Sequence, residues 1–79
     1  MSTFQTTLAA EYRALFATDP RYATVAGTTT PEALAETITA GLRAGRKASK
    51  EGAGVKRTCR LLGIKPTFQA IEAYLAAEA

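Results

Sequence analysis

The chain has 79 residues, 47% of them hydrophobic and 22% charged, and a formal net charge of +3. That length makes one domain near the lower size at which a single core sustains a fold, and that hydrophobic fraction excludes a wholly disordered chain. With no histidine and one cysteine, the composition excludes an intrachain disulfide and gives no basis for neutral-pH acid–base catalysis or a metal-ligand cluster.

Ser2 followed by Gln5 fits a capping box, in which the serine hydroxyl takes an orphan N–H of the first helical turn. Phe4, Leu8, Tyr12, Leu15 and Phe16 then recur at helical spacing, predicting a helix over about residues 3–18. Asp19-Pro20 stops it and equally fits as the cap of a short turn over 20–26, closed by Gly27; a short extended piece over 22–25 is the alternative. Thr28-Thr29-Thr30 before Pro31-Glu32 is the clearest helix start. A threonine caps, proline takes the first helical position, and the glutamate meets the positive end of the dipole. Leu34, Ile38 and Leu42 form its stripe, and Gly45 ends it.

Residues 45–54, with three glycines and four basic or acidic side chains beyond them, read as a loop rich in cations. Val55, Cys59 and Leu62 mark a further amphipathic helix ended by Gly63, with Ile64 placed to fold back in a Schellman cap. Leu61 and Leu62 both count here as core. Cys59 falls on the apolar stripe, so it reads as a small core residue rather than a nucleophile. Thr67 is placed to cap a last helix whose inner face carries Phe68, Ile71, Tyr74 and Leu75. No strand signal competes, and the expected fold is all-α: a small bundle of four to five helices in one domain over residues 1–79.

Charge is unevenly spread. From Arg43 to Lys65 there are eight basic residues against Glu51 alone, a local charge of +7, while the rest of the chain carries two bases and six acids, or −4. Lys56 and Arg60 are four apart on one helix face with Arg57 beside them; Arg46, Lys47 and Lys50 on the preceding loop and Lys65 at the following turn extend the cluster. Such polarity suits an anionic partner. If about five of these met phosphates, log K would fall with log salt at a slope of about −4 to −5.

The segment 55–75, with two short helices about Leu62-Gly63-Ile64 and a small residue, Cys59, four before the glycine, resembles the helix-turn-helix of DNA-binding proteins. The resemblance implies that Thr67, Gln69, Ala70 and Glu72 present the recognition helix, with Gln69 reading adenine, while Lys56, Arg57 and Arg60 flank the DNA backbone. One position departs from the usual motif: Phe68, rather than Gln69, takes the first core position of the second helix, which rotates that helix by about 100°. The Gly-Ile-Lys-x-Thr turn and the Ala-Ile-x-x-Tyr-Leu ending are also similar to small phage-encoded helical proteins.

The expected function is therefore binding, not catalysis, with no cofactor. The partner is nucleic acid met through Arg46, Lys47, Lys50, Lys56, Arg57, Arg60, Lys65 and Gln69. The alternative is an inhibitor, anti-CRISPR-like or polymerase-binding, docked on an acidic surface or nucleic-acid channel of a host protein complex. No apolar stretch or leader pattern points to a membrane or to export, so the expected location is the cytoplasm. The chain is expected to act as a monomer or as a homodimer, the latter through an aromatic stripe of Phe4, Tyr12 and Phe16 on the first helix.

Overall fold

In the computed structural model, which describes residues 2–45 and 52–78, the order is α1 (Thr3–Thr18), a 3-10 turn (Pro20–Tyr22), α2 (Ala23–Ala26), α3 (Pro31–Arg43), α4 (Gly52–Leu62) and α5 (Phe68–Glu78). Each helix boundary has a local chemical cause. Ser2 Oγ accepts the Gln5 N–H (3.0 Å), Thr30 Oγ1 the Ala33 N–H (3.1 Å) and Thr67 Oγ1 the Ala70 N–H (3.2 Å), each satisfying a donor that the helix leaves unpaired. Asp19 closes α1 through its own N–H to the Leu15 carbonyl (2.8 Å) and opens the 3-10 turn by accepting the Arg21 N–H (3.0 Å). The stretch 22–25 is thus helical, not extended. At Gly63, φ of 72° lets the Ile64 N–H reach the Cys59 carbonyl (3.0 Å) and the Gly63 N–H reach that of Arg60 (3.3 Å), the two bonds of a Schellman cap.

Helix α1 is the centre of the packing. It lies against α3 on one side and α4 on another, and α5 packs on α3. Phe4, Leu8, Tyr12 and Leu15 from α1 meet Ile38 and Leu42 from α3, Val55 and Cys59 from α4, and Ile71 and Leu75 from α5 in one buried cluster. The aromatic stripe of α1 is spent in this interior: Phe4 and Tyr12 are fully buried, and Phe16 packs on the cluster beside Tyr12 and Tyr22, with ring centroids 5.8–6.3 Å apart. Phe4 and Tyr12 are thus turned into this chain's own core and not toward a second copy, which corrects their part in that expectation.

Two further corrections concern α4. The helix begins at Gly52, three residues before Val55, because Gly54 is the point at which α4 meets α1. A Cβ built on Gly54 would stand 2.7 Å from both Cε1 and Cζ of the Tyr12 ring. Thr58, fully buried one turn on, donates its hydroxyl to the Gly54 carbonyl (2.8 Å) and so enters the core without an unpaired group. Leu61, expected in the core, is instead 64% exposed. The buried Val55, Thr58 and Cys59 and the half-buried Leu62 hold one side of the helix, and Leu61 lies about 100° from Leu62.

The two ends of the described chain are tied together. The Phe4 N–H in the first turn of α1 donates to Glu78 Oε1 (2.9 Å), and Arg43 Nη2 stands 3.6 Å from Glu78 Oε2 while its Nη1 donates to the Leu75 carbonyl (3.4 Å). A carboxylate at a helix N-terminus is favoured by the dipole as well as by the bond.

Two substitutions test this packing. Gly54→Ala would gain about 1 kcal/mol of helix propensity on an open surface; against the Tyr12 ring it is expected to cost about 1–3 kcal/mol instead, read as a lower urea midpoint. Glu78→Ala is expected to cost about 1–2 kcal/mol by orphaning the Phe4 N–H, whereas the same change at exposed Glu36 should leave the midpoint unmoved.

Candidate functional site

The inward roll of α4 decides what faces solvent. With Gly54, Val55, Thr58 and Cys59 buried, Lys56, Arg57 and Arg60 are all exposed, and at about 100° per residue they occupy about 100° of the helix circumference, with Leu61 about 40° beyond Arg57. Lys56 and Arg60 lie one turn apart, as do Arg57 and Leu61. The apolar and cationic halves are cleanly separated.

None of Lys56, Arg57, Arg60 or Lys65 forms an ion pair with a carboxylate among the described residues. The three such pairs are Arg13 with Glu32, Arg21 with Asp19, and Arg43 with Glu78. Lys65 is exposed in the turn after α4. Arg43, the first of the eight clustered bases, reaches Glu78 and the Leu75 carbonyl at the end of α5 while its side chain stays 40% exposed, so it serves the architecture as well as the surface. Arg46, Lys47 and Lys50 lie outside the described residues.

Gln69 is exposed on α5, where it shares the outward face with Glu72, Ala73, Ala76 and Ala77. That face carries no cation of its own, and Arg43 of α3 lies beside its Glu72 and Ala76. Ala70, which the helix-turn-helix resemblance would present outward, is half-buried above the Thr67 cap. The α4 and α5 helices are joined by the Gly63 turn, yet α4 packs chiefly on α1 and α5 chiefly on α3. Cys59 is fully buried, and that burial pushes its thiol up from the ordinary value, which suppresses the thiolate; it behaves as core. No group of three or more His, Cys, Asp or Glu is positioned to hold a metal ion among the described residues.

The sequence did not single out the corner beside the basic face. There the Asp19 carboxylate is bracketed by Arg21, whose Nε stands 3.1 Å from Oδ1 and whose Nη2 stands 2.8 Å from Oδ2. The Arg21 side-chain hydrogen bonds hold the Asp19 carboxyl below its ordinary 3.8, with its backbone N–H adding to the effect; Arg57 contributes through space. Arg57 on α4 is thus one of the charges that Asp19 feels across the fold. Neither the pairing of Asp19 with Arg21, two residues apart, nor the influence of Arg57, 38 positions away, was read from the sequence.

Comparison with protein-family models, with curated proteins and with solved structures finds no match for this chain.

The Asp19 corner gives a pH prediction. A carboxyl depressed in the folded state stabilises the fold above its unfolded value, and that contribution is lost as pH falls from about 3.8 through the lower folded value. In a carboxyl-carbon NMR titration the Asp19 midpoint is expected below 3.8, rising in Arg21→Gln and, by a smaller amount, in Arg57→Gln. An Asp19 midpoint indifferent to Arg57 would remove Arg57 from this corner.

Proposed function

We propose that this protein is a non-enzymatic binding module that engages nucleic acid through the basic face of α4. The observation that carries the reading is that Lys56, Arg57 and Arg60 share one exposed arc and are left unpaired by every described carboxylate. Three cations held on one rigid helix, with Lys65 at its end, raise the local positive potential more than the net charge of +3 conveys. Their attraction for phosphates supplies most of the affinity and is independent of base sequence. Arg46, Lys47 and Lys50, which shortly precede α4 in the sequence, would add to it. A small regulator or accessory factor of the phage type fits such a design.

A second reading is favoured by one observation. Leu61 is exposed beside Arg57, and a leucine among cations also suits a protein surface that is acidic with an apolar pocket. In that case the chain acts as an inhibitor, anti-CRISPR-like or polymerase-binding, docked on a host complex that handles nucleic acid. Capture from host lysate after nuclease treatment separates the two, since only a protein partner survives it.

Binding to random-sequence duplex DNA across a salt series tests the main reading. Four phosphate contacts give a slope of log K against log salt of about −3 to −4. Lys56→Glu combined with Arg60→Glu is expected to abolish the gel shift while leaving the helical circular dichroism intact, because both side chains are exposed. An unchanged shift in that variant overturns the proposal.

A further inference from the structure

Within the reading of a duplex-binding protein, on which this step rests, we infer that α4 itself is the helix that lies in the groove and that α5 faces away from the nucleic acid. In an ordinary helix-turn-helix the second helix of the pair reads the bases, and the first crosses the backbone. Here the chemistry of the two outward faces is reversed. The outward face of α5 presents Gln69, Glu72, Ala73, Ala76 and Ala77, a carboxylate and no cation, so laying it along phosphates would bring Glu72 against like charge. The outward face of α4 presents Lys56, Arg57, Arg60 and Leu61 over about 140° of arc.

The order around α4 also matches the geometry of a helix in a groove. The order around the arc is Lys56, Arg60, Arg57 and Leu61, so Arg60 and Arg57 stand on either side of its middle, where base edges lie; a guanidinium there suits the paired acceptors of guanine. Lys56 holds one rim of the arc, where a phosphate row runs, and Leu61 holds the other. Leu61 is 64% exposed and lies one turn beyond Arg57. On a solvated face it has no partner, while in a major groove it meets the thymine methyl, the one apolar group that base edges offer. Packing leaves α4 room for this role, since α1 is the only helix with which it makes extensive contact among the described residues.

The test uses two variants with the same change of charge. Leu61→Glu and Ala73→Glu each add one carboxylate at an exposed helix position, so any effect of net charge alone is common to both. Affinity for random-sequence duplex DNA is measured at one fixed salt concentration by fluorescence anisotropy, with circular dichroism to show that both variants fold. The inference expects Leu61→Glu to weaken binding by about tenfold or more, the scale of a base-edge contact, and Ala73→Glu to weaken it by less than about threefold. Equal losses, or a larger loss from Ala73→Glu, overturn the inference while leaving nucleic-acid binding in place. Failure of the unsubstituted protein to bind duplex DNA overturns the underlying reading instead. Should Leu61→Glu fail to fold, Leu61→Gln against Ala73→Gln makes the same comparison without charge.

Discussion

The contact of Gly54 with the Tyr12 ring sets the arrangement of this protein. A helix packed on a neighbour is free to roll unless some position forbids the alternatives, and here a Cβ-less residue is seated on a fully buried aromatic ring. With Gly54 turned toward α1, a spacing of 3.6 residues per turn carries Val55, Thr58 and Cys59 inward, and Lys56, Arg57 and Arg60 have no direction left but solvent. The cationic face is thus a consequence of core packing. The same contact explains why Thr58 is tolerated in the interior: its hydroxyl donates to the Gly54 carbonyl, which lies within the same turn.

A second constraint holds the frame on which α4 rests. Glu78 joins the first turn of α1 to the end of α5, and Arg43 brings the end of α3 to the same carboxylate. Three helix ends converge there: one N-terminus with unpaired N–H groups, and two C-terminal ends, each with carbonyls to satisfy. Glu78 takes the Phe4 N–H and Arg43 donates to the Leu75 carbonyl, which engages Arg43 within the fold while its side chain stays 40% exposed. In a core this small, drawn largely from alanine-rich helices, a clasp between the ends supplements an apolar area that is modest from the outset.

What the amino-acid order reveals divides by sequence distance. The caps at Ser2, Thr30 and Thr67, the double role of Asp19 and the Gly63 turn are each decided within about five residues, and all were legible. The outward direction of Lys56, Arg57 and Arg60 was legible too, since Val55, Cys59 and Leu62 mark the opposite side of one helix. Leu61 was misjudged because hydrophobicity was weighed without the helical phase, although its neighbour Leu62 already occupied the inward position. The start of α4 was misjudged because three glycines in ten residues resemble a loop; only the Tyr12 ring, 42 positions away, gives Gly54 a helical purpose. The Glu78 clasp spans 74 positions and has no local signature at all.

The polarity of charge follows from the same division. A chain with ten bases and seven acids would present a nearly neutral surface if the two were interleaved. Here Glu32, Asp19 and Glu78 are each engaged by Arg13, Arg21 and Arg43, so three bases are neutralised locally and three acids with them. The exposed pairs of Arg13 and Arg21 add little to stability, but all three change what a distant ion feels, because a paired charge has a field that decays faster than a single one. Among the described residues, the bases left over are Lys56, Arg57 and Arg60 of α4 and Lys65 in the turn after it, and the acids left over include Glu72 on the outward face of α5. Removing matched charges elsewhere thus sharpens the contrast between two helices joined by a single glycine turn. On the proposed reading, that contrast would steer a polyanion toward α4 and away from the helix that the helix-turn-helix resemblance alone would have chosen.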